Sequence, residues 1–128
     1  GAEVKDLYLH QAKLLGLDGM THSTSSEKLS SRLWRRYGAR AFEILEEIRQ
    51  DPSMADLLIE GAEYIKAELY FTAKFEMVTK LEDFLRRRSK IALIARKRTI
   101  KNAPGMMKAC EILFGDKAKE KFDEYFES

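Results

Sequence analysis

The sequence predicts an all-α fold, a single compact bundle of six or seven helices formed by residues 1–128. Residues that lose little side-chain freedom in helices are abundant (Ala, Leu, Glu, Lys and Arg), whereas valine occurs only at Val4 and Val78. The chain has only two prolines, and its apolar residues recur at helical spacing. With 128 residues, 45% of them hydrophobic, it is long enough to form one domain with a substantial core.

The N-terminal part is predicted to contain three helices. The first ends at Gly16, and its apolar stripe comprises Val4, Leu7, Tyr8, Gln11, Leu14 and Leu15. The pattern of residues 24–27, Thr-Ser-Ser-Glu, predicts a capping box that opens a second helix, which ends at Gly38. A third helix is stopped by Asp51 and Pro52.

The C-terminal part is predicted to contain three or four further helices. Residues 56–75 form one helix with a bend or break at Gly61. A second capping box, residues 79–82, opens a helix that reaches about Arg98. After a turn at residues 102–105, one helix runs to Gly115 and another, capped by Asp116, completes the bundle.

Composition excludes several function classes. The formal net charge is only +2, which does not indicate a nucleic-acid-binding protein. No glycine-rich phosphate-binding motif is present, and His10 and His22 have no ligand partners at metal-binding spacing. One cysteine, Cys110, excludes an internal disulfide and suits a core position in a reducing compartment. The longest strictly apolar run is far too short to span a bilayer, so we expect a cytoplasmic domain.

Two charged residues fall on the apolar faces of consecutive predicted helices. In a helical projection Glu68 lies near the centre of one apolar arc, and Arg88 lies near the centre of the next. Because an unpaired buried charge costs several kcal/mol, we expect the two to form a buried or half-buried ion pair, with Glu76 sharing the guanidinium. The alternative is that both side chains extend to water. Asp83 and Arg87 are predicted to form a flanking i,i+4 pair.

Residues 86–101 contain eight basic residues and no acidic residue. Arg96, Lys97, Arg98 and Lys101 therefore form a candidate basic interface. Nucleic acid, anionic lipid and a solvated helix face are the three interpretations. Aromatic residues that could stack on bases do not alternate with the basic ones, which argues against nucleic acid and favours a solvated face.

The residues around the two inward charges resemble a known family. The run Ala67-Glu68-Leu69-Tyr70, then Glu76, then residues 83–91 (Asp-Phe-Leu-Arg-Arg-Arg-Ser-Lys-Ile) resembles the C-terminal helical domain of FAD-dependent glycerol-3-phosphate dehydrogenases and alpha-glycerophosphate oxidases. The resemblance covers residues 29–128, preceded by an N-terminal helix and loop over residues 1–28. Val78 and Lys80 depart from the family pattern, and both lie at the boundary between the two helices.

The resemblance implies that this chain is one domain of a larger enzyme. The parent would oxidise sn-glycerol 3-phosphate to dihydroxyacetone phosphate, reduce FAD and pass the electrons to a quinone or to oxygen. This chain would bind no cofactor and hold no catalytic residue; its role would be structural, and its partner would be the FAD and substrate domain. The resemblance also allows a peripheral position of the parent on a membrane. The alternative is an independent helical module that binds nucleic acid or anionic lipid through residues 86–101.

Overall fold

The computed structural model describes residues 1–22 and 26–127. Helical residues make up 72% of the described residues, and no strand occurs among them, which confirms the all-α fold. Eight helical segments lie in this part of the chain: α1 (Ala2–Leu14), α2 (Leu29–Tyr37), α3 (Ala41–Gln50), α4 (Lys66–Phe75), α5 (Leu81–Asp83), α6 (Lys97–Lys101), α7 (Met106–Phe114) and α8 (Ala118–Phe126). Six of these segments have nine residues or more.

The chain groups into two compact units, Gly1–Asp56 and Leu57–Ser128. None of the helices in residues 1–22 and 26–127 combines the length and the apolar composition that crossing a bilayer requires. The predicted organisation, one helical domain over residues 1–128, stays a prediction.

The first unit is built around Tyr8 of α1. Its ring is fully buried and lies against Trp34, at 5.2 Å between ring centroids, and against Phe42, at 5.7 Å. Its hydroxyl donates a hydrogen bond to the carbonyl oxygen of Ser30 at 2.9 Å, so the buried polar atom is satisfied. A single aromatic side chain therefore connects α1 with α2 and α3.

The predicted ends of the N-terminal helices are confirmed. Gly16 and Gly38 have φ values of +81° and +58°, a backbone region that favours glycine. The Asp51 carboxylate accepts hydrogen bonds from the backbone N–H and the hydroxyl of Ser53, so the chain turns away after α3. Residues 24 and 25 of the capping box predicted at residues 24–27 lie outside the described residues. The helix itself begins later than predicted, at Leu29, with Lys28 in the cap position and no side-chain cap.

The apolar stripe predicted for α1 is wrong in its orientation. The helix buries Tyr8 and Ala12, whereas Val4, Leu7 and Leu14 are exposed. The prediction assigned the larger leucines to the buried face and left out Ala12, whose small side chain is the one that is buried.

In the second unit α7 packs against α4 and α8. The core combines residues from these helices, from the turn before α4 and from the segment between α4 and α7; it comprises Ala62, Tyr64, Leu69, Leu81, Phe84, Leu85, Ile91, Ile100, Met106, Ala109, Cys110 and Ala118. Gly115 ends α7 with φ +61°, as predicted.

The predicted helix over residues 56–75 is wrong in its first half. Leu57 and Ile65 form an antiparallel bridge, and the Leu58 N–H donates to the Tyr64 carbonyl oxygen at 2.9 Å. Gly61, with φ +92°, lies in the turn between them. The helix therefore begins only at Lys66.

The helix predicted from residue 79 to about Arg98 is also wrong. It begins at Leu81, with Lys80 rather than Thr79 in the cap position, and no side chain caps it. After α5 the chain forms a π-helical turn, Phe84–Arg88, and the helix ends there. Lys90 adopts a left-handed backbone (φ +59°), followed by the 3-10 turn Ile91–Leu93 and, later, α6.

Asp116 does not cap the last helix. It lies in the 3-10 turn Gly115–Lys117, and Lys117 occupies the cap position of α8 without a side-chain hydrogen bond.

Candidate functional site

Glu68 lies in the first turn of α4 and is fully buried. Its Oε2 accepts a hydrogen bond from the backbone N–H of Ile65 at 3.1 Å, while its own N–H donates to the Ile65 carbonyl oxygen at 3.0 Å. A carboxylate at this position satisfies a free backbone donor and interacts favourably with the positive end of the helix dipole. The inward position agrees with the helical projection, but the role as a helix cap was missed because the helix was predicted to begin ten residues earlier.

Arg88 and Glu76 form a half-buried ion pair. The distance from Arg88 Nη1 to Glu76 Oε2 is 2.8 Å, and the side chains are 41% and 26% exposed. Glu76 immediately follows the last residue of α4, and Arg88 is the last residue of the π-helical turn. The pair therefore connects the end of one helix with the end of the next.

A π-helical turn, rather than the regular helix used for the projection, carries Arg88. In such a turn the hydrogen bonds span five residues instead of four, so each residue advances through a smaller angle around the axis. The Ser89 N–H accordingly donates to the Phe84 carbonyl oxygen at 2.8 Å. Arg88, the last residue of the turn, contacts Glu76. The pairing of Arg88 with the buried Glu68 stays a prediction.

Two exposed ion pairs lie beside this site. Asp83 Oδ1 is 3.6 Å from Arg87 Nε, and Glu82 Oε1 is 3.3 Å from Arg86 Nε. Both pairs have i,i+4 spacing. Pairs of this kind on a helix surface contribute about 0.3–0.5 kcal/mol, so they orient the arginines more than they stabilise the fold.

The four residues of the candidate basic interface lie on α6 and immediately before it. Lys97 Nζ lies 4.5 Å from the centre of the Tyr125 ring, a cation–π contact. Lys101 Nζ is 3.3 Å from Glu127 Oε1. Arg96 and Arg98 are exposed. Lys97 and Lys101 therefore contact residues of α8 or the residue that follows it, whereas Arg96 and Arg98 are exposed to solvent.

Ser89 was missed by sequence reasoning. It is buried, and its hydroxyl donates a hydrogen bond to the Phe84 carbonyl oxygen at 3.0 Å. The same Oγ accepts a hydrogen bond from the backbone N–H of Ile91, with 3.4 Å between Oγ and the nitrogen. Serine commonly competes with the helix for backbone groups in this way. The run Arg86-Arg87-Arg88-Ser89 contained the signal, a single short polar residue between a charged stretch and an apolar one.

Cys110 is fully buried in the core of the second unit. Burial raises the pKa of its thiol to about 11, with Glu111 adding a smaller effect in the same direction. The thiol is therefore neutral near pH 7 and unsuited to nucleophilic chemistry.

Residues 1–22 and 26–127 contain no group of three His, Cys, Asp or Glu side chains that could hold a metal ion.

Comparison with known proteins gives two matches. Residues 5–121 match the family model of the C-terminal domain of alpha-glycerophosphate oxidase, so the similarity begins further towards the N-terminus than residue 29. A glycerol-3-phosphate dehydrogenase from Synechocystis sp. is 31% identical over 97 residues, which cover 71% of this chain and 18% of that protein. The chain spans less than a fifth of the length of this relative. No solved structure matches the chain. The chain belongs to the family of C-terminal domains of alpha-glycerophosphate oxidases.

Proposed function

We propose that this chain is the C-terminal domain of a flavin-dependent enzyme that oxidises sn-glycerol 3-phosphate to dihydroxyacetone phosphate. The enzyme transfers a hydride to FAD and then passes electrons to a quinone or to oxygen. The family match and the dehydrogenase relative support this assignment. Because more than four fifths of that relative lies outside the matched region, the proposal assigns the chemistry to the rest of the longer protein.

The residues of this chain do not fit FAD. A flavin diphosphate is held by closely spaced glycines at the start of a helix. The glycines with positive φ in the described residues are far apart in the sequence and lie in separate turns; they are Gly16, Gly38, Gly61, Gly105 and Gly115. We therefore assign FAD, and every step that uses it, to the catalytic part of the parent.

The role proposed for this domain is structural: it docks on the catalytic part. The exposed face of α1 is the observation that carries this role. Leu7 and Leu14 are 52% and 73% exposed, and Val4 lies on the same side of the helix. Several large exposed apolar side chains on one helix are typical of a surface that another protein part covers. Neither comparison supports the alternative of an independent binding module.

The test begins with the complete reading frame that contains this chain. We expect it to encode a Gly-x-Gly-x-x-Gly motif after a predicted strand, and we expect the purified product to be yellow. Addition of sn-glycerol 3-phosphate under anaerobic conditions should bleach the flavin absorbance. A product without flavin, or one whose flavin this substrate does not reduce, would contradict the assignment.

Docking through α1 has a separate test. Leu7→Ser combined with Leu14→Ser should leave the thermal unfolding of the 128-residue chain nearly unchanged, because both side chains are exposed there. In the longer enzyme the same substitutions should lower the unfolding temperature by several degrees, about 1–2 kcal/mol of lost burial. Lys5→Ser combined with Lys13→Ser, on the same helix, is the matched control. Equal stability of both variants in the longer enzyme would exclude docking through this face.

A further inference from the structure

The hydroxyl of Thr79 has no role in capping the helix that follows it. Residues 79–82, Thr-Lys-Leu-Glu, have the spacing of a capping box, but Lys80 occupies the cap position of α5 and no side chain caps that helix. Within the part of the chain that the structure describes, the Thr79 side chain makes no hydrogen bond. Glu82, the acidic member of the pattern, instead lies 3.3 Å from Arg86 Nε through its Oε1. The hydroxyl is therefore available for another role.

Thr79 lies in an exposed connection between α4 and α5. Glu76 and Lys80, at the two ends of this connection, both have an extended backbone, and Met77 is 88% exposed. Thr79 is itself exposed, and the Glu82 side chain is 60% exposed. Protein kinases select substrates in part by the charge pattern around the hydroxyl, and acid-directed kinases recognise a carboxylate three residues after it. Thr79 and Glu82 present this pattern on the surface.

Thr79 also shares a surface cavity with basic side chains. The cavity has a volume of about 390 Å³ and is lined by Thr79, Lys80, Glu82, Asp83, Arg86 and Arg87. The closest approach of Arg86 to Glu82 is 3.3 Å and that of Arg87 to Asp83 is 3.6 Å. Both distances exceed the length of a charge-assisted hydrogen bond, about 2.7–2.9 Å. The two guanidiniums therefore keep N–H donors that a stronger anion in this cavity could use.

We propose that Thr79 is a phosphorylation site and that Arg86 and Arg87 hold the phosphate. An acid-directed kinase transfers the γ-phosphoryl group of ATP to Thr79 Oγ1. The new O–P bond forms, the bond from the γ-phosphorus to its bridging oxygen breaks, ADP leaves, and the hydroxyl proton passes to the catalytic carboxylate of the kinase. The phosphate carries a charge of about −1.5 to −2 near pH 7, so it competes effectively with single carboxylates for the guanidiniums. The proposal is independent of the flavin assignment.

Ser53 shows what distinguishes the surroundings of Thr79. Ser53 is also exposed, and an acidic residue, Asp56, follows it by three positions. Its hydroxyl, however, donates to Asp51 Oδ1 at 2.7 Å, so a phosphate on Ser53 would lie beside a carboxylate and be repelled by it. Ser53 is therefore a matched comparison, with the same acidic spacing but a carboxylate where Thr79 has guanidiniums.

The first experiment is incubation of the 128-residue chain with casein kinase 2, an acid-directed kinase, and ATP with Mg²⁺. Peptide mass spectrometry should locate a phosphoryl group on Thr79. Thr79→Val should abolish this modification and Thr79→Ser should retain it. Glu82→Gln should slow it about tenfold or more, because the kinase recognises the carboxylate. Ser53→Ala should leave modification of Thr79 unchanged.

The second experiment measures the surroundings of the phosphate. In a ³¹P NMR titration, the pKa of the phosphate on the folded chain should lie below that on a phosphorylated peptide of residues 74–84, because nearby guanidiniums favour the dianion. Arg86→Gln combined with Arg87→Gln should return the pKa to the value of the peptide. Lys74→Gln removes a cation that does not line the cavity and should leave the pKa unchanged. Circular dichroism of every variant establishes that it is folded.

Two results would overturn the proposal. Absence of phosphate from Thr79 in the folded chain would exclude the modification site, whether or not the peptide is modified. A phosphate pKa that is the same in the folded chain and in the peptide would exclude contact with the two arginines. Neither result bears on the flavin assignment, because flavin reduction is measured on the longer enzyme.

Discussion

At the scale of single residues, the buried carboxylate of Glu68 is the feature that most constrains the fold. A carboxylate without solvent contact costs several kcal/mol unless its charge is compensated. The Ile65 N–H and the start of α4 supply part of that compensation. A guanidinium would supply more, which is why we propose that Arg88 interacts with Glu68 as well as with Glu76.

A double-mutant cycle tests this pairing. Glu68→Gln keeps an oxygen acceptor for the Ile65 N–H and removes the charge, and Arg88→Met keeps most of the side-chain volume. The coupling free energy between the two, measured by urea unfolding, should exceed about 1 kcal/mol. The exposed pair Asp83→Asn and Arg87→Met is the control and should give less than about 0.5 kcal/mol. Coupling for Glu68 and Arg88 no larger than in the control would show that the two side chains do not interact.

At the scale of elements, helix ends decide which predictions succeeded. The ends at Gly16, Gly38 and Gly115 could be predicted because glycine marks a left-handed backbone position in the sequence itself. The end near Lys90 could not, because a lysine takes that position. What stops the helix there is the Ser89 side chain together with the burial of Ile91, a tertiary effect that helical periodicity does not contain.

The same reasoning applies to the start of α4. Residues 56–65 have the spacing of an amphipathic helix, yet the bridge between Leu57 and Ile65 holds them in a turn. The apolar residues are buried either way, so the pattern alone does not distinguish the two conformations. The inward position of Glu68 was nevertheless predictable, because the helical phase from Ile65 onward is the same in both.

Replacement of Lys90 by glycine should stabilise the chain. A residue with a β-carbon pays about 1 kcal/mol to adopt φ +59°, and glycine does not. We expect Lys90→Gly to raise the free energy of unfolding by about 0.5–1 kcal/mol in urea titrations, whereas Lys90→Ala should give no gain. If the glycine variant were less stable than the alanine variant, the left-handed conformation would be wrong.

At the scale of the whole molecule, composition predicted the fold class but concealed the charge distribution. A net charge of +2 indicates no charged partner, although eight basic residues and no acidic one lie in residues 86–101. Local ion pairs then compensate some of these cations and not others, which only the three-dimensional structure shows. The family, in contrast, was visible in the sequence, because the spacing of Glu68, Glu76 and residues 83–91 is maintained in linear order.

Two buried groups should make the whole chain less stable in alkali. Burial raises the pKa of the Tyr8 hydroxyl, an effect that Arg32 partly opposes, and burial raises the pKa of the Cys110 thiol to about 11. In the unfolded chain both groups have ordinary values, about 10 for tyrosine and about 8.5 for cysteine, so the unfolded state loses these protons first. The neutral groups therefore contribute their full stability below about pH 8.5, and this contribution falls as the pH rises through 9 to 11.

Urea unfolding at several pH values tests this expectation. Between pH 8 and pH 10.5 the wild-type chain should lose about 2 kcal/mol more than Cys110→Ala, which has no thiol to titrate. Tyr8→Phe should lose less than the wild type only above about pH 10, because its ordinary pKa is higher. Iodoacetamide should modify Cys110 at the rate of global opening, since the folded chain buries the thiol completely. Parallel pH profiles for the wild type and Cys110→Ala, with rapid alkylation of the folded chain, would mean that the thiol is solvated and that α7 does not pack as described.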